Sequence, residues 1–92
     1  MIKSYKSKKL KLFAEKGKTQ SVDQRHVKPI NIILNALDTA TCEDDFNLPG
    51  KNLHSFNEKK PKVWSLDVSA NWRITFEFDG HDVYNVDYLD TH

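Results

Sequence analysis

Residues 70–78, Ala-Asn-Trp-Arg-Ile-Thr-Phe-Glu-Phe, alternate cleanly between apolar and polar positions. Trp72, Ile74, Phe76 and Phe78 fall on one side of a period-2 strand, and Arg73, Thr75 and Glu77 on the other. Four bulky residues at that spacing predict a central strand whose apolar face lies under helices, with Arg73 projecting from the opposite face. An arginine in mid-sheet calls for an anion, either an acidic side chain or a phosphate gripped by the planar fork. The strand by itself decides neither.

The other elements follow from the same kind of pattern. Residues 2–6 fit a short edge strand, whose lysines discourage edge-to-edge pairing. From Ser7 to Lys16, Leu10, Phe13 and Ala14 sit at helical spacing, with Ser7 as cap and Gly17 as left-handed stop. A second helix runs to about Ala40 on the stripe Val27, Ile30, Ile33, Leu34 and Leu37. Its cap falls within residues 23–26, so that Pro29 sits in the first turn, where a missing N–H costs nothing. Residues 41–51 carry Glu43, Asp44 and Asp45 and end in Asn47-Leu48-Pro49-Gly50, which is turn chemistry with room for one helical turn at 42–46. The three acids lack the oxygen spacing of a calcium loop and read as a solvated bend.

Four strands complete the chain, at about 53–56, 62–69, 71–78 and 82–89, with connections short enough to require antiparallel order. Trp64, Leu66 and Val68 share one face of the second. In the last, Tyr84, Val86 and Tyr88 alternate with Val83, Asn85, Asp87 and Leu89, and Asp79-Gly80-His81 supplies the hairpin turn before it. The predicted architecture is α+β: an N-terminal strand and two helices packed on one face of an antiparallel sheet of about four to five strands, with the other face open.

Composition narrows the classes. A chain of 92 residues suits one domain spanning residues 1–92. The lone Cys42 can form no internal disulfide, which fits a reducing cytoplasm and argues against a zinc site. No apolar run approaches the roughly 20 residues of a membrane span. The net charge of +1 hides an asymmetry: residues 1–30 hold nine Lys/Arg against two acids, a net of +7, and the remainder carries −6. Lys8, Lys9, Lys11 and Lys16 on the first helix therefore form either a patch for a polyanion or a solvated outer face.

His54 on the first strand of the meander, Arg73, and Asp90-Thr91-His92 just beyond the last strand are positioned to border one concave sheet face. Metal-free RNA cleavage requires a base for the 2′-hydroxyl proton, an acid for the departing 5′-oxygen and a cation on the phosphorane. Histidine and aspartate meet the first two needs, arginine and lysine the third. His26 and His81, at a helix start and a hairpin turn, read as surface residues without a catalytic role.

Met1-Ile2-Lys3-Ser4-Tyr5, Leu10-Lys11-Leu12-Phe13-Ala14-Glu15-Lys16-Gly17, Leu37-Asp38-Thr39-Ala40-Thr41, Leu53-His54, Trp64-Ser65 and the strand Ala70-Asn71-Trp72-Arg73-Ile74-Thr75-Phe76 closely resemble the HigB toxins, the killer-protein branch of the RelE-like family. The resemblance runs nearly end to end. It implies a RelE-type microbial RNase fold and a toxin that enters the A site of the 70S ribosome and cuts the mRNA there. It also implies a cytoplasmic location, no cofactor, and a neighbouring HigA-like helix-turn-helix antitoxin through which alone the toxin meets DNA.

Carried over by position, His54, Arg73, Asp90 and His92 are the catalytic set. Two positions depart from the HigB pattern: Asn57 stands where relatives have a lysine, and Thr91 where they have an aromatic ring. Lys59, Lys60 or Lys62 in the adjoining loop are the candidates to restore the cation and, with the lysines of the first helix, to contact RNA or ribosome. Two rivals stay open, a non-catalytic binding toxin of the same fold, like the gyrase-directed ParE relatives, and a degenerate toxin with weak cleavage.

Overall fold

The structure is a computed structural model, described here for residues 1–56 and 62–90. Helix α1, Lys8–Lys16, begins where Ser7 Oγ accepts the Leu10 N–H at 3.2 Å and ends at Gly17, whose φ of 66° needs no Cβ to be accommodated. Leu10 and Phe13 face the core, whereas Ala14, expected beside them, is exposed. A helix of little more than two turns buries only a narrow i, i+3 stripe.

Two 3₁₀ turns, Thr19–Ser21 and Gln24–His26, lead into helix α2, Val27–Thr39. Asp23 sets up the second turn, since its carboxylate accepts the Arg25 N–H at 2.9 Å and grips the Arg25 guanidinium at 2.8 and 3.1 Å. Pro29 lies in the first turn of α2, and Ile30, Ile33, Leu34 and Leu37 are buried as their spacing requires.

Strands β1 (His54–Phe56), β2 (Val63–Asp67), β3 (Trp72–Phe78) and β4 (Val83–Asp90) form an antiparallel meander in the order β1-β2-β3-β4. The edge strand expected at residues 2–6 is reduced to two parallel bridges, Ile2 to Val83 and Tyr5 to Val86. The Lys3 N–H donates to the Val83 carbonyl at 2.7 Å and the Lys6 N–H to the Val86 carbonyl at 2.8 Å. The α1 and α2 stripes meet Trp64, Leu66, Ile74 and Phe76 in a single core on one side of the sheet.

Two features depart from the sequence pattern. Glu77 pairs with Tyr84 and Thr75 with Asp87, so β4 carries one residue more than β3 between these pairs. The extra residue is accommodated at Asn85, whose φ of 53° is left-handed. This bulge breaks the expected alternation, and Val83 and Val86, predicted on opposite faces, are both fully buried. The second is Phe46, from the 3₁₀ turn Glu43–Phe46. It is fully buried, with its ring centroid 4.8 Å from Phe76, 4.9 Å from Phe78 and 5.9 Å from Trp64. Asp45 of the same turn accepts the Thr41 N–H at 2.9 Å, and these backbone bonds hold its carboxyl below the usual range.

Candidate active site

The open face is organised by cross-strand register. His54 pairs with Ser65, Ser65 with Thr75 and Thr75 with Asp87, making one row across all four strands. The next row is Asp67, Arg73 and Leu89. Between these rows and the N-terminal segment lies a concavity of about 520 Å³, lined among others by Arg73, Thr75, Asp87, Phe56 and Lys6. Arg73 thus projects from the face opposite Trp72, Ile74 and Phe76, as predicted.

Arg73 also meets the acidic side chain that its non-catalytic reading asks for. Its Nη1 stands 3.5 Å from Asp67 Oδ1, and Asn52 Nδ2 donates to Asp67 Oδ2 at 3.0 Å. The Oγ of fully buried Ser65 makes no hydrogen bond, and Asp67 Oδ1 has the Arg73 ion pair in place of one. His54 is exposed and shares the open face, two strands from Arg73, roughly 10 Å across at ordinary strand spacing.

Asp90 is placed differently. β4 continues through Asp90, which pairs with Trp72, so alternation assigns it to the Trp72 side of the sheet and not to that of Arg73. The expectation that the acid would border one concave face with His54 and Arg73 is corrected. Asp90 remains part of the ladder instead of belonging to a tail that can cross it. His92, Thr91, Asn57, Lys59 and Lys60 lie outside the described residues.

The lysines that bear on the site lie in three places. Lys8, Lys9, Lys11 and Lys16 are all exposed on α1, and none lines the concavity. Lys62 holds its Nζ 4.2 Å from the centroid of Trp64, a ring packed in the core on the helix side, so it too is turned away from Arg73. Lys6, which the sequence reading did not select, does line the concavity. Its signal was faint, since only the pairing of residues 1–6 with β4, more than 80 positions away, brings it there.

His26 was assigned to the surface and is instead 3% exposed. Its Nδ1 lies 2.6 Å from the Tyr88 hydroxyl, and its ring centroid 5.7 Å from that of Trp72. Trp72 and Tyr88 stack at 4.5 Å. Burial raises the Tyr88 pKa, so the phenol keeps its proton and can donate it to the imidazole. A usable signal existed: positions 26, 30, 33 and 37 continue the apolar stripe of α2 one turn backwards. His81 is exposed, as expected.

Among the described residues no group of three or more His, Cys, Asp or Glu is arranged to hold a metal, and no helix is long and apolar enough to cross a membrane. Two helices on one face of an antiparallel meander, with an arginine-bearing concavity on the other, place the molecule in the class of RelE-like α+β toxins. Residues 3–92 match the model of the HigB-like toxin family, described as the RelE-like toxin of the type II toxin-antitoxin system HigB. The chain is 46% identical over 92 residues to the endoribonuclease HigB of Proteus vulgaris, with 100% of each chain covered. It belongs to the HigB-like toxin family.

Proposed function

We propose that this toxin is an endoribonuclease that cleaves mRNA on the translating ribosome. The observation that carries the reading is Arg73, raised on the open sheet face into a concavity that also receives Lys6. Two cations there suit a phosphodiester whose charge grows in the transition state, and Lys6 offsets the lysine missing at Asn57. His54 and His92 share proton transfer, and Asp90, which ends β4 on the Trp72 side of the sheet, contributes orientation from there. One group takes the 2′-hydroxyl proton as that oxygen attacks phosphorus, and another protonates the departing 5′-oxygen. In this reading Lys59, Lys60 and the exposed lysines of α1 contact ribosomal or messenger RNA in the A site, while Lys62 is the least suited because it is engaged by Trp64. The toxin works in the cytoplasm without a cofactor and meets DNA only through a HigA-like helix-turn-helix antitoxin. That partner covers the basic helices, where Leu12 and Ile32 are also exposed.

The test is single-turnover cleavage of mRNA on programmed ribosomes by the parent, His54→Ala, Arg73→Ala, Asp90→Asn and a variant lacking His92. Each variant is expected to lose about 10²- to 10⁴-fold, the usual worth of a positioned acid, base or charge. Full activity in all four would remove these residues from the active site, and absence of cleavage by the parent would sink the nuclease reading in favour of a binding toxin.

A further inference from the structure

His26 takes no direct part in the proposed chemistry, yet it is one of only two polar residues among the buried ones described. Its surroundings come from three elements. The 3₁₀ turn before α2 supplies His26, with Asp23 and Arg25 paired beside it. β3 supplies Trp72 and β4 supplies Tyr88. The 2.6 Å contact between Nδ1 and the phenol fixes Tyr88 at its polar end, while the 4.5 Å stack on Trp72 fixes its ring. Trp72 is also the cross-strand partner of Asp90, and Asp90 is two residues beyond Tyr88 on the same side of β4. The end of a strand ordinarily frays. Here it is clamped from the helix layer at Tyr88 and tied through Trp72 to β3, immediately before Arg73.

We propose that His26 is a positioning residue: through Tyr88 and the Trp72 stack it holds the paired ends of β3 and β4, so that Arg73, next to Trp72, keeps a fixed place in the concavity. This rests on the proposed role of Arg73 at phosphate. The arrangement is a helix-layer side chain reaching through the core to steady the end of a strand. A displacement of about 1 Å at a reacting group costs roughly 100-fold in rate, so a clamp of this kind acts on turnover without touching RNA.

The experiment uses the full chain with His26→Leu, His26→Asn, Tyr88→Phe and the double variant His26→Leu/Tyr88→Phe. Amide hydrogen exchange, ribosome affinity and single-turnover cleavage are measured for each. His26→Leu should speed exchange at the amides of residues 88–90 about tenfold, with little change on β2. Its cleavage rate should fall about 10- to 100-fold at unchanged ribosome affinity. His26→Asn, which keeps a polar atom near the position of Nδ1, should recover most of that rate. Tyr88→Phe should lose as much as His26→Leu, and the double variant no more than either, because the two groups act as one unit.

Unchanged exchange at residues 88–90 in His26→Leu overturns the clamp. So does parental cleavage despite faster exchange, or a rate that falls only in step with the melting temperature and is not recovered by His26→Asn. Parental cleavage by Arg73→Ala would instead overturn the role of Arg73 at phosphate, a failure separable from the clamp because the exchange data do not depend on activity.

Discussion

Arg73 and Asp67 stand opposite one another in the β2–β3 ladder, with Nη1 3.5 Å from Oδ1 and the two side chains 31% and 22% exposed. At that distance the two groups form an ion pair without a close hydrogen bond, and ordering the two side chains offsets much of the gain, so the pair contributes little to stability. The contact orients the guanidinium more than it secures the sheet. Arg73→Ala is therefore expected to change unfolding free energy by about 1 kcal/mol or less, while growth inhibition is lost. A large drop in denaturation midpoint would make Arg73 a structural residue and remove its role at phosphate.

Lys6→Gln provides a separate check on the concavity. The side chain lines it, while the N–H of the same residue makes the 2.8 Å bond to Val86, which the substitution leaves in place. Cleavage should fall by about tenfold with the fold intact, the loss of roughly one charge-assisted contact. An unaltered single-turnover rate would show that the cation missing at Asn57 is not supplied from this segment.

The lysines of α1 should act on association and not on chemistry. Replacing Lys8, Lys9, Lys11 and Lys16 by glutamine is expected to weaken ribosome binding and flatten its dependence on salt, since fewer counterions are released. Melting should hardly move, all four being exposed. Ribosome pelleting across a salt series decides the matter: curves that superimpose with those of the parent would mean a solvated helix face and nothing more.

Asp79 governs part of the acid response. Its carboxylate accepts the N–H groups of Asp82 at 2.7 Å and His81 at 2.8 Å, and these bonds hold its pKa below the ordinary carboxylate value. A depressed acid stabilises the fold above its unfolded pKa, near about 4, and that contribution disappears as pH falls through the lower folded value. The parent's melting temperature should thus drop more steeply than that of Asp79→Ala between about pH 5 and pH 2, with the two curves converging at the acid end. Parallel curves would show that the β3–β4 turn does not depend on this carboxylate.

Much of the fold was legible because it is encoded locally. The alternation in β3 assigned Arg73 to the open face, Ser7 and Gly17 bounded α1, and Pro29 marked the first turn of α2. What escaped reading depends on long-range pairing or on backbone conformations that composition does not announce. Asn85 carries no local mark of a bulge, so alternation put Val83 and Val86 on opposite faces although both are buried. Phe46 lies in an acidic turn without periodicity, yet it fills the centre of the aromatic core. His26 continues a visible stripe, but its place at a helix start suggests a surface residue. Lys6 reaches the concavity only because residues 1–6 run alongside β4.

That last pairing bears on timing. It joins two segments far apart along the chain, with contacts spanning 81 positions. Such closures come late, because the entropy of a long loop must be overcome before any contact rewards it. Until β4 exists, Ile2 and Tyr5 have nothing to pair with, and the wall formed by Asp87 and Leu89 is missing. On the proposed function, activity waits for this closure, because a molecule whose β4 is unpaired lacks one wall of the concavity that holds Arg73.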